Sequence, residues 1–179
     1  VRLNVRFSGA GGQGVILSSV LLAKAYGIGE DYNISQTQSY GPEARGGACK
    51  AEVVISDDDI DYMKVDNADV FIAFNQMGYD KYRRQTNPDA IVLVNSTLVT
   101  AEGENIHGIP ATEIAEGMGK PFVVNMVMLG ALTKLLPKIY YPTVEAEIKE
   151  SFSASIAGPN LEAYSKGYEY MAEQLSNNK

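Results

Sequence analysis

The stretch Arg6-Phe7-Ser8-Gly9-Ala10-Gly11-Gly12-Gln13-Gly14-Val15 constrains this chain more than any other, because a strand pattern runs through a glycine-rich turn straight into an apolar helix pattern. Residues 2–8 alternate and are rich in β-formers, whereas residues 15–26 are apolar on nearly every face, as in a helix buried on most sides. Gly9, Gly11 and Gly14 have the G-x-G-x-x-G spacing, with Gly12 and Gln13 between them. Glycines so placed permit a tight turn, bring backbone N–H groups close to a phosphate and aim a helix N-terminus at it. The same residues also occur where a strand and a helix merely pack closely. The turn by itself leaves both readings open.

Gly27 and Gly29 end the first helix, and residues 32–36 read as a second strand, which makes a Rossmann-like first β-α-β unit. Residues 36–47 are too polar and glycine-rich for a core element, yet dense in hydrogen-bonding groups, as in a binding loop. Residues 48–56 form a strand ended by the acidic turn Asp57-Asp58-Asp59. The short apolar runs at 70–74 and 90–95, with a polar helix at 76–85 between them, suit parallel strands covered on both faces. An edge strand is expected at 105–110, helices over 111–116 and from Pro121 toward Pro137, and two further helices to close the chain. In the last, over about residues 160–175, Leu161, Tyr164, Tyr168, Met171 and Leu175 share one stripe, either core or subunit contact. Tyr140-Tyr141 before Pro142 reads as a packed corner. The predicted fold class is α/β, a three-layer sandwich with a mostly parallel central sheet. At 179 residues it is expected to form a single domain spanning 1–179.

Composition removes several functions. A formal net charge of −7, with no cluster of Lys and Arg, argues against nucleic acid or an anionic membrane as partner. Cys49 is the one cysteine and His107 the one histidine, so the chain cannot by itself supply four thiolates to an iron–sulfur cluster or the ligands of a histidine-rich metal site. No metal is expected here. Cys49 reads as a small buried residue at a strand start, with a redox-sensitive thiol as the alternative. No apolar run is long and uninterrupted enough to span a bilayer. The first residues carry no basic-then-apolar leader, which favours a cytoplasmic protein, although a start at Val1 leaves room for trimmed residues.

A nicotinamide site would need an acidic residue at the C-terminal end of the second strand. Glu30 and Asp31 precede that strand, and its end reads Gln36-Thr37-Gln38. A free-standing NAD-type nucleotide-binding protein is therefore weakened as a reading, though a glutamine can still bond a ribose.

The glycine turn and Gln36-Thr37-Gln38-Ser39-Tyr40-Gly41-Pro42-Glu43-Ala44-Arg45-Gly46-Gly47 together resemble the gamma subunit of 2-oxoacid:ferredoxin oxidoreductases, over essentially the whole chain. The second motif looks like the 2-oxoglutarate branch; pyruvate-branch subunits usually carry a different loop there, with a second arginine in place of a residue like Ala44, and a pyruvate-specific gamma subunit is the alternative. The resemblance implies a multi-subunit enzyme that decarboxylates a 2-oxoacid on thiamine diphosphate and Mg, passes two electrons through 4Fe-4S clusters to ferredoxin and releases an acyl-CoA, succinyl-CoA in this branch. Those cofactors are implied to lie on alpha, beta and delta subunits. For this chain it leaves a structural role and a hypothetical coenzyme A site. There Gly9, Gly11, Gly12, Gln13 and Gly14 receive a phosphate, Arg45 faces it, and Gln36 and Ser39 add neutral hydrogen bonds. The alternatives are that both loops only pack against partner chains, or that the chain is an assembly subunit without a ligand. No catalytic residue is expected in this chain alone.

Overall fold

The computed structural model describes residues 1–39 and 48–178. Strand β1 (Arg2–Gly9) lies at the centre of a sheet whose other strands are β2 (Asn33–Gln38), β3 (Cys49–Ser56), β4 (Ala68–Ala73), β5 (Thr86–Asn95) and β6 (Ile106–Ile109). Their order among the described residues is β2-β3-β1-β4-β5-β6. β1, β4, β5 and β6 pair in parallel, while β3 pairs antiparallel with both β1 and β2. The expected mostly parallel sheet is present, and β6 is its edge. In the first β-α-β unit β2 runs parallel to β1, but β3 is inserted between them.

The side-chain alternation of β1 divides the core. Val5 and Phe7 face a large apolar cluster built with α1 (Val15–Lys24), α3 (Ala111–Gly117), α4 (Val124–Leu135), α5 (Tyr141–Ser151) and α6 (Ala154–Asn177). The other face carries a smaller cluster in which Val54, Phe71, Val92 and Val94 meet Tyr79 and Tyr82 of α2 (Gln76–Tyr82) and the loop residues Val65 and Val99. The third layer is thus thin. A π-helical turn, Ala25–Gly29, extends α1, and a short 3-10 turn, Pro121–Val123, leads into α4.

Tyr164 and Met171 on α6 are almost wholly buried, and Leu161 and Leu175 pack on the same cluster, so the predicted stripe is core. Tyr141 stacks on Tyr164 with ring centroids 4.7 Å apart and meets Tyr168 edge-on at 4.8 Å, whereas Tyr140 is exposed. Helices α4 and α6 touch backbone to backbone: a Cβ added at Gly130 would collide with the Tyr164 carbonyl, and one at Gly167 with the Val127 carbonyl. Among the described residues no helix is long and apolar enough to cross a membrane.

Candidate ligand site at the glycine turn

The C-terminal ends of β1, β4 and β5 reach one edge of the sheet, where ligands of open α/β sheets bind. Two asparagines fix the loops there. Asn75 accepts from the N–H of Gly78 at 2.9 Å and caps α2. Asn95, fully buried, donates to Phe74 O and Thr112 Oγ1 and accepts from Ala111 N–H at 3.1 Å, tying β5 to the start of α3.

The glycine turn sits on this frame. Gln13 closes it: its Oε1 accepts the Ala10 N–H at 2.7 Å and its own N–H donates to Ala10 O at 3.3 Å. Gly9 has no room for a side chain, since an added Cβ would lie 2.7 Å from Gln13 Oε1 and 2.8 Å from Phe74 Cβ. Gly14 caps α1 in the left-handed region, φ 78°, and a Cβ there would meet the Asn125 side-chain amide. Gly11 differs: nothing lies within 4 Å of where its Cβ would be, and its φ is not positive. The backbone N–H groups of Gly11, Gly12, Gly14, Val15 and Ile16 donate no hydrogen bond among the described residues. Such unbonded donors at a helix start favour an anion.

Asn125 is a residue that sequence reasoning missed. It is 6% exposed, its Oδ1 accepts from the Met126 N–H at 3.0 Å, and its Nδ2, set against Gly14, has no hydrogen-bond partner among the described residues. The signal was a lone carboxamide in the apolar run 122–129. A cleft of about 220 Å³ opens beside the turn, lined by Gly12, Gln13, Leu98, Thr112, Pro121, Phe122 and Val124. Phe122 and Leu98 also escaped notice, because isolated apolar residues near loops carry no periodic signal.

The remaining expected site residues divide. Ser39 donates its N–H to Lys50 O at 3.0 Å, on the residue paired with Ser8, and so lies at the same sheet edge as the turn. Gln36 lies further down the sheet, where its Nε2 donates to Ser19 Oγ at 3.0 Å and to Gln38 Oε1 at 2.8 Å. That amide nitrogen serves the α1–β2 contact. Arg45 lies outside the described residues; the description resumes at Ala48, before Cys49, the partner of Gly9.

Two further groups can be placed. Glu30 accepts from Thr143 Oγ1 at 2.6 Å, and both it and Asp31 precede β2 at the end where Asn33 pairs with Ser56, the edge opposite the glycine turn. β2 itself carries no acidic residue and β3 lies between it and β1, so among the described residues the NAD-type reading lacks its key group. Cys49 is buried, and burial pushes its thiol pKa up, which suits a packed residue and not a reactive thiolate. Among the described residues no cluster of His, Cys, Asp or Glu is placed to hold a metal. One buried thiol cannot ligate a 4Fe-4S cluster, so the residues here do not fit the clusters that the resemblance implies.

The sequence model described as "Pyruvate ferredoxin/flavodoxin oxidoreductase" matches residues 4–170. The 2-oxoglutarate synthase subunit KorC of Methanocaldococcus jannaschii is 43% identical over 97% of this chain and 96% of its own length. The gamma subunit of a keto/oxoacid ferredoxin oxidoreductase from Geobacter sulfurreducens superposes with a TM-score of 0.85 at 34% identity, covering 96% of this chain and 99% of that one. A 2-oxoglutarate:ferredoxin oxidoreductase from Magnetococcus marinus, solved with 2-oxoglutarate, coenzyme A and succinyl-CoA bound, also gives 0.85 at 26% identity; the match covers 96% of this chain and 31% of that one.

Proposed function

The chain belongs to the pyruvate ferredoxin/flavodoxin oxidoreductase family and is a gamma-type subunit of a 2-oxoacid:ferredoxin oxidoreductase, and on that premise we propose that its glycine turn holds a phosphate of coenzyme A. The observation that carries this reading is the run of unbonded backbone N–H groups at Gly11, Gly12, Gly14, Val15 and Ile16, with the Asn125 amide behind Gly14. In this reading Arg45 is the charged partner of that phosphate. Ser39 adds a neutral hydrogen bond from the sheet edge.

In this reading the single-domain chain binds and orients the acyl acceptor while other chains perform the redox chemistry. Thiamine diphosphate, Mg and the iron–sulfur clusters supply decarboxylation and electron transfer on alpha, beta and delta subunits, with ferredoxin as acceptor. The 2-oxoacid is 2-oxoglutarate and the product succinyl-CoA, in line with the KorC relative. The complex works in the cytoplasm.

The test uses the assembled enzyme. Gly11→Leu places a side chain where the fold leaves open space, so the complex forms, and the KM for coenzyme A rises about tenfold or more while kcat at saturation is kept, the signature of lost uniform binding. Arg45→Ala acts in the same direction. An unchanged KM in both variants refutes the coenzyme site, and loss of the complex on Arg45→Ala makes that residue a subunit contact.

A further inference from the structure

An edge strand is normally blunted by Lys, by Pro, by a bulge or by a covering element. β2 has none of the first three: residues 32–39 carry no charge and no proline, and the register with β3 runs unbroken from Asn33 to Gln38. Among the described residues no other strand pairs with it. Ser39 donates its N–H to Lys50 O, so the alternation of an antiparallel ladder turns the backbone groups of Asn33, Ser35 and Thr37 toward β3 and those of Ile34 and Gln36 outward. An open edge of this kind takes up a further strand.

Helix α1 leaves an apolar side uncovered next to that edge. Gly27 packs against Ile34 and Ser19 meets Gln36, so the helix and its π-helical extension run along β2 in the opposite direction. Leu17, Val20, Lys24 and Ile28 share one stripe beside this contact. Leu17 is 37% exposed, Ile28 74% and Ile34 39%, and Val20 is half-buried. The stripe from Leu17 to Ile28 is about 16 Å long, and the six residues of β2 extend over about 17 Å. Both features are therefore of one length, and the stripe is apolar at both ends. That is what a surface meeting itself about a two-fold axis requires. Antiparallel pairing of β2 with a second β2 brings Leu17 of each copy against Ile28 of the other. A formal net charge of −7 opposes self-association elsewhere on the surface, whereas this strip holds one charge, Lys24, whose stem lets its head reach water.

We propose that two copies of this chain pair through β2, joining their sheets into one, with the α1 stripes packed across the axis.

The first test is Leu17→Cys with Ile28→Cys in the assembled enzyme, treated anaerobically with a short bismaleimide. Within one chain the two positions are about 16 Å apart, so the linker bridges copies. The expected product is a covalent dimer of this chain alone. Sedimentation of the full chain supplies the second test, with a dimer expected for wild type. Leu17→Lys with Ile28→Lys, at exposed positions where the fold is kept, gives a monomer at the same concentration, and Leu17→Lys with Ile28→Glu restores the dimer. Ile34→Pro, which removes an outward N–H and no bond to β3, also gives a monomer. A monomeric wild-type chain overturns the proposal, as does a dimer that survives both the paired lysines and Ile34→Pro. A cross-link to a different subunit overturns it too, because another chain then covers this edge.

Discussion

Glycines of one motif do different work, and only their surroundings separate them. Gly14 sits at φ 78° with the Asn125 amide against it, so Gly14→Ala is expected to cost about 2 kcal/mol or more from left-handed strain and collision. Gly11→Ala, in open space, should stay within about 0.5 kcal/mol of wild type. Urea unfolding of the full chain checks both, and equal losses would mean that the turn is packed throughout. Arg6, in the same stretch, is fully buried and acts as a rivet. Its Nε donates to Glu52 Oε2 at 2.7 Å, and its two Nη atoms donate to the carbonyls of Gln85 and Val65. Arg6→Met strands the Glu52 carboxylate, since Lys50 at 3.8 Å is its other cation, and should lower unfolding free energy by about 3–5 kcal/mol. The double variant Arg6→Met with Glu52→Leu should recover much of that loss in the same assay. The glycine spacing was legible in the sequence, whereas the sorting of Gly9, Gly11 and Gly14 was not, because it depends on Phe74 and Asn125, more than 60 residues away in the chain.

Among the elements, those declared by local periodicity were readable. β1, β4, β5 and α4 fell where apolar runs and Pro or Gly signals put them. The insertion of β3 between β1 and β2 was not, since strand order is set by pairing between distant residues such as Phe7 with Ala51. Helix α6 begins at Ala154, ahead of the start expected near Asn160, and runs through Pro159. The Asn160 carboxamide donates to Ile156 O at 2.8 Å beside the bond that the proline cannot make. The backbone contact of α4 with α6 gives a sharper expectation. Gly167→Ala forces the helices apart at the Val127 carbonyl and should cost about 3 kcal/mol or more, at the upper end of overpacking. Thermal unfolding reads the loss, and an unchanged midpoint would mean that the helices slide freely.

For the whole molecule, placement of the site follows from topology. Parallel strands deliver the glycine turn, the Asn75 and Asn95 caps and the Leu98 loop to one edge, and the start of α4 brings Val124 and Asn125 to the same place. The central position of β1 has a consequence for synthesis. The first strand to leave the ribosome becomes the middle of the sheet, and neither neighbour exists until Cys49–Ser56 and Ala68–Ala73 have been made. A nascent chain stalled before residue 68 carries β1 with one bonding edge bare and Arg6 without its carbonyl from Gln85. Such a chain stays protease-sensitive and offers its unpaired backbone to other strands. Emergence through α6, which packs on Val127 and Gly130, is what closes the core, so protection in a ribosome-stalled series should arrive late and in a single step.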